Sequence, residues 1–204
     1  MPNISFIENF TRPVSIASES KFFVTAFLFE RNNHKIKNIE KLLAAFKKLT
    51  SRYPDLNIQM IGSGSQQKSI EKIIKKAGLE QSVHLPGFQK PEQLAMSFQN
   101  AIAFVMPSYP ETFGLVYLEA LASGLPVMHS KQAGIDGYFP SSIALSVNPK
   151  STPEIAASLE KLYLKQLDFK KNVNSYVNSE EFKTFQTERI VSKYTSIISE
   201  LLEI

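Results

Sequence analysis

The chain has no cysteine among its 204 residues, so neither disulfides nor thiolate metal sites are open to it. Only three histidines are present, scattered at His34, His84 and His129, and a structural metal centre is not expected from them. No apolar run approaches the length of a membrane span. The longest, Phe22 to Phe29, contains Thr25 and reads as a strand. The opening Met1-Pro2-Asn3-Ile4 lacks the basic and apolar regions of a signal peptide, and the cytoplasm is the expected location. Lysine and arginine number 23 against 19 aspartates and glutamates, a mild excess. It allows contact with phosphates, or with an anionic surface at the inner face of a membrane, without demanding either. Basic and aromatic residues do not interleave as they do in nucleic-acid readers, so no nucleic acid is expected as a partner. Internal repeats and low-complexity segments are absent.

What remains is the composition of an ordinary globular protein, 43% hydrophobic and 21% charged, long enough to bury a substantial core. Residues 1–20, with Pro2, Pro13 and several Ser and Asn, read as a linker or edge segment; 21–204 read as one domain. The Phe22–Phe29 strand precedes a helix over about Asn38–Arg52, where Ile39, Leu42, Leu43, Phe46 and Leu49 share a face. Strands follow at Leu56–Ile61, Val83–Leu85, Ile102–Met106, Val127–His129 and Ile143–Val147. Helices are expected near Gln66–Ala77, Glu92–Gln99 and, with Pro153 in its first turn, Glu154–Leu167, and a last one from Glu180 or Glu181 to Leu202. Strands alternate with helices, which predicts an α/β fold: a doubly wound parallel sheet of about six strands with helices on both faces.

One stretch carries most of the chemistry. Pro107-Ser108-Tyr109-Pro110-Glu111-Thr112-Phe113-Gly114-Leu115-Val116-Tyr117-Leu118-Glu119-Ala120 sets two carboxylates eight positions apart around a glycine. It leaves a buried strand, crosses a loop and enters a helix that Gly124-Leu125-Pro126 stops. Gly114 lets backbone N–H groups come close to a ligand, and a helix start favours an anion. Were most of the span helical, the carboxylates would lie roughly 12 Å apart along the axis, about the distance from hexose to ribose in a nucleotide sugar.

The string from Pro107 to Val127 resembles the signature of the family-four GT-B retaining glycosyltransferases, the glycosyl transferases group 1. The resemblance runs from Phe22 to the end and matches the C-terminal, donor-binding half of a GT-B enzyme, a Rossmann-like domain. It implies that Glu119 holds the ribose hydroxyls, that Glu111 meets the hexose, and that Phe113, Gly114 and Leu115 act through backbone N–H groups, with Ser108 and Thr112 beside them. Hydroxyl recognition, and not nucleophilic attack, is the implied role of Glu111. Val83-His84-Leu85-Pro86-Gly87-Phe88 is similar to the segment whose backbone meets the base, which brings in Gly87 and Phe88. Leu56–Gly64 is similar to the family's strand that ends in a Gly-x-Gly turn; Gly62 and Gly64 serve either the ligand or the turn.

The family also carries an arginine and a lysine that grip the diphosphate. Arg31 fits the first, and Lys37, just before Asn38-Ile39, the second; the spacing is one longer than usual, so Lys35 stays open. Glu30 stands where a glycine is customary. Cations at the leaving diphosphate stabilise the charge that develops there, and no metal cofactor is implied. Arg31, Lys37 and Glu111 are thus the implied catalytic residues. The Gly134-Ile135-Asp136-Gly137 loop departs from the family's pattern, and its role is open. The final stretch from Phe182 to Leu202 resembles the helix that crosses back toward the acceptor-binding domain. No counterpart of that domain is legible, which implies a piece of a larger enzyme or one subunit of a two-chain enzyme. A non-catalytic nucleotide-sugar-binding module is the other reading. Sugar, base and acceptor are not legible.

Overall fold

Strand residues point alternately to opposite faces of a sheet, and here both faces are apolar, so both must be covered. The computed structural model describes residues 7–10 and 19–202. It contains six strands, β1 (Phe22–Ala26), β2 (Asn57–Ile61), β3 (Val83–His84), β4 (Phe104–Val105), β5 (Val127–Ser130) and β6 (Ala144–Val147). They form one parallel sheet in the order β3-β2-β1-β4-β5-β6. Phe23, Ile58, Val105, Met128 and Leu145 face one core; their neighbours Val24, Phe104, Val127 and Ala144 face the other.

The first core is closed by α2 (Ile39–Thr50), α3 (Gln67–Ala77) and α6 (Thr152–Leu164). In α2, Ile39, Leu42, Leu43, Phe46 and Leu49 recur at helical spacing and are all buried. Burial of one such side chain contributes about 1.5–3 kcal/mol, so this face alone ties the helix to the sheet. The second core is closed by α4 (Pro91–Asn100) and α5 (Leu115–Ala122). Most of the 1–20 segment lies outside the described residues. Of its described part, Ile7–Asn9 form a 3-10 turn, and Ile7 and Phe10 are buried in the second core.

The expected elements are present, with differences that packing explains. The Ile102–Met106 and Phe22–Phe29 strands are shorter as ladders, although Phe27 and Phe29 still donate backbone bonds to Ile61 and Ser63. A short helix, α1 (Asn33–Ile36), occupies the loop before α2. The helix expected over Glu154–Leu167 runs from Thr152 to Leu164, and a further one, α7 (Gln166–Val177), follows. Its Phe169 and Val173 face the cores, but polar Gln166 and Lys170 are buried with them and blur the apolar period.

The expected last helix is divided into α8 (Glu180–Lys183) and α9 (Thr187–Leu202). The break follows an aromatic cluster in which Phe182 packs on Tyr176, and Phe185 on Phe139 and Phe182. Across the break the backbone tightens to i→i−3 bonds, from Thr184 N–H to Glu181, Phe185 N–H to Phe182 and Gln186 N–H to Lys183.

Candidate functional site: the crevice between β1 and β4

In an open parallel sheet, ligands bind beyond the carboxyl ends of the strands, where chain order reverses. Here the reversal falls between β1 and β4, so the loop after β1 and the loop after β4 face each other across it. Those are the loops that carry Arg31 and Lys37 on one side and Glu111 to Gly114 on the other.

The two loops are bonded together. Tyr109 N–H donates to the Ile36 carbonyl at 2.7 Å. Lys37 Nζ donates to Glu111 Oε2 at 2.6 Å, an ion pair with side chains 19% and 10% exposed. Lys35 is exposed, so the structure brings Lys37 and not Lys35 against the motif carboxylate. Arg31 stands exposed at the mouth and forms no ion pair among the described residues. From there the rim continues in both directions. Gly62 N–H donates to the Gly87 carbonyl at 3.0 Å, Asn38 Nδ2 to the Pro149 carbonyl at 2.7 Å, and Gly134 N–H to the Glu111 carbonyl at 3.1 Å.

The β4 loop turns into α5 at Gly114, whose φ of 73° lies in the left-handed region. No side chain caps the first turn of α5, which leaves backbone N–H groups at the crevice. Helix begins only at Leu115, so Glu111 lies in the loop and the axial estimate of its distance from Glu119 does not hold. The Tyr117 hydroxyl donates to the Met106 carbonyl and so ties the helix back to the strand it follows. Burial raises the pKa of that phenol far above its usual value. Ser108 is fully buried, its hydroxyl beside that of Tyr117 and without a well-formed hydrogen bond.

Glu119 differs from Glu111. It sits on the second turn of α5, half-buried, and its carboxylate forms no hydrogen bond or ion pair among the described residues. Burial pushes its pKa above the usual carboxylate value, because nothing nearby compensates the lost hydration.

The remaining expected residues spread along the rim. Thr112 is exposed; Phe113 and Leu115 are half-buried, and the Phe113 ring packs edge-on against Tyr138 at 5.4 Å. Phe88 is exposed, beside Gly87. Gly62 and Gly64 are required by the turn itself: a Cβ on them would lie 1.9 Å and 2.6 Å from the carbonyl oxygens of Phe27 and Phe29.

Two features went unread in the sequence. Gly134 packs so closely under the motif loop that a Cβ there would lie 1.2 Å from the Thr112 carbonyl oxygen. Its neighbour Asp136 closes the same loop by accepting from Gln132 N–H and the Ser146 hydroxyl, each at 2.7 Å. A groove of about 1040 Å³ opens on the far side of the motif loop, between Phe113 and Tyr138 and the α9 residues Arg189, Ile190, Lys193 and Ile197. Among the described residues there is no group of three or more His, Asp or Glu that could hold a metal, and no helix long and apolar enough to cross a membrane.

A parallel sheet in this order, with an uncapped helix start and converging charged loops at its switch point, defines a Rossmann-like domain. The chain belongs to the glycosyl transferases group 1 family, whose sequence profile matches residues 14–180. It is 37% identical over 142 residues to a D-inositol 3-phosphate glycosyltransferase of Arthrobacter sp. (strain FB24), which covers 67% of this chain and 34% of that protein. It is 27% identical over 205 residues to the phosphatidylinositol N-acetylglucosaminyltransferase gpi3 subunit of Schizosaccharomyces pombe, covering 98% of this chain and 44% of that one. The chain thus spans less than half the length of these two relatives.

Among solved structures, it overlays on sucrose-phosphate synthase from Thermosynechococcus elongatus with a TM-score of 0.75 at 22% identity, covering 98% of this chain and 51% of that one. It overlays on the C-terminal domain of a glycosyl transferase group 1 family protein from Francisella tularensis with a TM-score of 0.69 at 22% identity, covering 86% of this chain and 97% of that one. The fold is therefore that of a GT-B C-terminal domain, as the sequence predicts.

Proposed function

We propose that the chain is the donor-binding half of a retaining glycosyltransferase, which moves a hexose from a nucleotide-diphosphate sugar to a glycan or lipid-linked acceptor. One observation carries the reading: an uncapped helix start lies between a carboxylate held by Lys37 and a second, unpaired carboxylate on the same helix. The diphosphate fits the helix start with Arg31 and Lys37. The unpaired Glu119 suits two ribose hydroxyls, and Gly87 and Phe88 suit the base. Glu111, released from or sharing Lys37, faces the hexose. Its ion pair lowers its worth as a nucleophile, which favours hydroxyl recognition.

In the transfer, the bond from the anomeric carbon to the diphosphate oxygen breaks and its electron pair goes to the diphosphate. The acceptor oxygen bonds to that carbon on the same face, and its proton passes to the departing diphosphate. The cations and helix start offset the charge on the departing group, so the reaction needs no metal. The relatives' names suggest an acceptor that carries a polyol phosphate or a lipid.

The gpi3 relative is called a subunit and is matched along nearly all of this chain, which favours a second reading. In it the chain serves within a two-chain enzyme, or as a non-catalytic binding module. Calorimetry with UDP-, GDP- and ADP-sugars, with and without a chelator, tests the donor site. Binding that survives the chelator is expected. No binding sinks the donor reading, strict magnesium dependence sinks the metal-free one, and binding without turnover beside an added acceptor half favours the module.

A further inference from the structure

Just before Arg31 stands an acid whose contacts run sideways to the next loop. Beyond β1 the backbone continues along the end of β2: Phe29 N–H donates to the Ser63 carbonyl at 3.0 Å, and its own carbonyl accepts from Gln66 N–H at 2.7 Å. Where this pairing ends, the Glu30 side chain takes over. Its Oε1 accepts from Ser65 N–H at 3.2 Å, and its Oε2 from the Ser65 hydroxyl at 2.8 Å. A Cβ on Gly64 would lie 2.7 Å from that Oε1, so the carboxylate lies directly on the turn. The Glu30 carbonyl accepts from Asn33 N–H at 3.0 Å, and Asn33 Nδ2 donates to the Leu28 carbonyl at 2.9 Å, which closes the loop presenting Arg31. Among the described residues Glu30 forms no ion pair, so its charge is engaged by this clamp alone.

We propose that Glu30 is a positioning residue of the donor site: its carboxylate clamps the Gly62–Ser65 turn to the Arg31 loop and so fixes the width of the diphosphate cradle. The proposal rests on the donor-binding reading above. Two effects of Glu30 oppose each other. Its negative charge, exposed and screened, disfavours a diphosphate nearby. Its two bonds, strengthened because the acceptor is ionised, hold the cradle in shape. Since the charge faces solvent while both bonds are lost outright on truncation, positioning outweighs repulsion.

The sign of the effect on binding separates the two, and calorimetry on the 204-residue chain with UDP, GDP and ADP, each beside its nucleoside, reads it. Glu30→Ala should weaken binding of the preferred diphosphate about five- to tenfold and leave the nucleoside nearly unchanged. Glu30→Gln keeps an acceptor for Ser65 N–H, and Ser65→Ala keeps the N–H bond, so each should cost only about two- to threefold. Melting temperatures should stay close to that of the parent chain. Equal or tighter diphosphate binding by Glu30→Ala, or an equal loss for nucleoside and diphosphate, overturns the positioning role while donor binding stands. If the unmodified chain binds none of the three diphosphates, the donor reading falls and the positioning role with it.

Discussion

Lys37 and Glu111 are 74 residues apart in sequence and 2.6 Å apart in the fold, joining the loop after β1 to the loop after β4 across the switch point. Both side chains are largely buried, so removal of either leaves a poorly hydrated charge behind. Lys37→Met or Glu111→Gln alone should cost about 1–3 kcal/mol in urea denaturation, and the double variant should cost less than the sum. Full additivity would show that the pair is not coupled. Lys37→Met should also weaken nucleoside diphosphate binding, whereas Glu111→Gln should chiefly blunt discrimination between sugars.

Glu119 is expected to trade stability for binding. Its folded pKa is raised, so between the unfolded value near 4.5 and the folded one the native state binds more protons than the unfolded. Above that window the buried charge counts against the fold. Glu119→Gln should therefore raise the melting temperature at pH 7, with the gain fading as pH falls through the raised folded pKa and gone below the usual carboxylate value. The same change should weaken nucleotide binding by about tenfold, since one acceptor oxygen is lost from a charged site. A variant less stable than the parent at pH 7 would refute the unpaired-carboxylate account.

Gly134 tests how the motif loop is held. Its Cβ would collide with the Thr112 carbonyl, so Gly134→Ala must push the loop carrying Glu111 outward. A loss of about 2–4 kcal/mol is expected, with weaker donor binding at any temperature where the variant is folded. Gly137, where a Cβ meets nothing within 4 Å, is the control: its φ of 83° limits the cost of alanine to about 1–2 kcal/mol of backbone strain. Similar melting temperatures for the two variants would remove Gly134 as a support of the site.

The β strands and α2 to α6 were legible because their apolar residues keep one period: Phe23 and Val24 face opposite cores, while Leu42, Phe46 and Leu49 face one. The strand–loop–helix frame of the candidate site was legible because Pro107 to Val127 leaves a strand and enters a helix at a glycine. That Lys37, and not Lys35, pairs with Glu111 was not, since it depends on the turn of α1, whose four residues bury nothing and leave no pattern. The contacts of Gly134 with Thr112 and of Glu30 with Ser65 join separate loops, and no local spacing encodes them. The α8–α9 break left no mark in the pattern, because Phe182 and Phe185, three residues apart, keep helical spacing into it.

Lys170 on α7 is buried, and its Nζ donates to the Ser20 hydroxyl at 3.1 Å, beside the Gln166 amide that accepts from Ser20 N–H. Burial alone pushes its pKa down from 10.5. The unfolded chain then binds more protons between the lowered value and 10.5, so stability rises with pH through that window and bears the full cost below it. Lys170→Met should raise the melting temperature at pH 7 and flatten the rise toward pH 10, because an apolar group of similar length removes a poorly compensated charge. A loss of equal size at every pH would mean that the bond to Ser20 outweighs burial.

Sugar transfer requires the anomeric carbon and an acceptor hydroxyl to be held together in a cleft closed from water, because positioning supplies much of the rate. In the proposed reading the described residues supply one wall, the donor side, from Arg31 to Glu119. Beyond the motif loop they offer an open groove and a helix, α9, whose Ile197, Ile198, Leu201 and Leu202 are 42%, 55%, 65% and 81% exposed. Such a face gains stability when another surface covers it. The 204 residues alone are therefore expected to bind the donor and at most hydrolyse it slowly. Supplying an acceptor-binding half, fused or as a second chain, should restore transfer with retained anomeric configuration. In that assembly Ile198→Asp should weaken association and transfer together while donor binding to the isolated chain is unchanged. Transfer to a defined acceptor by the isolated chain, followed by product analysis, would show that the acceptor site lies within these residues after all.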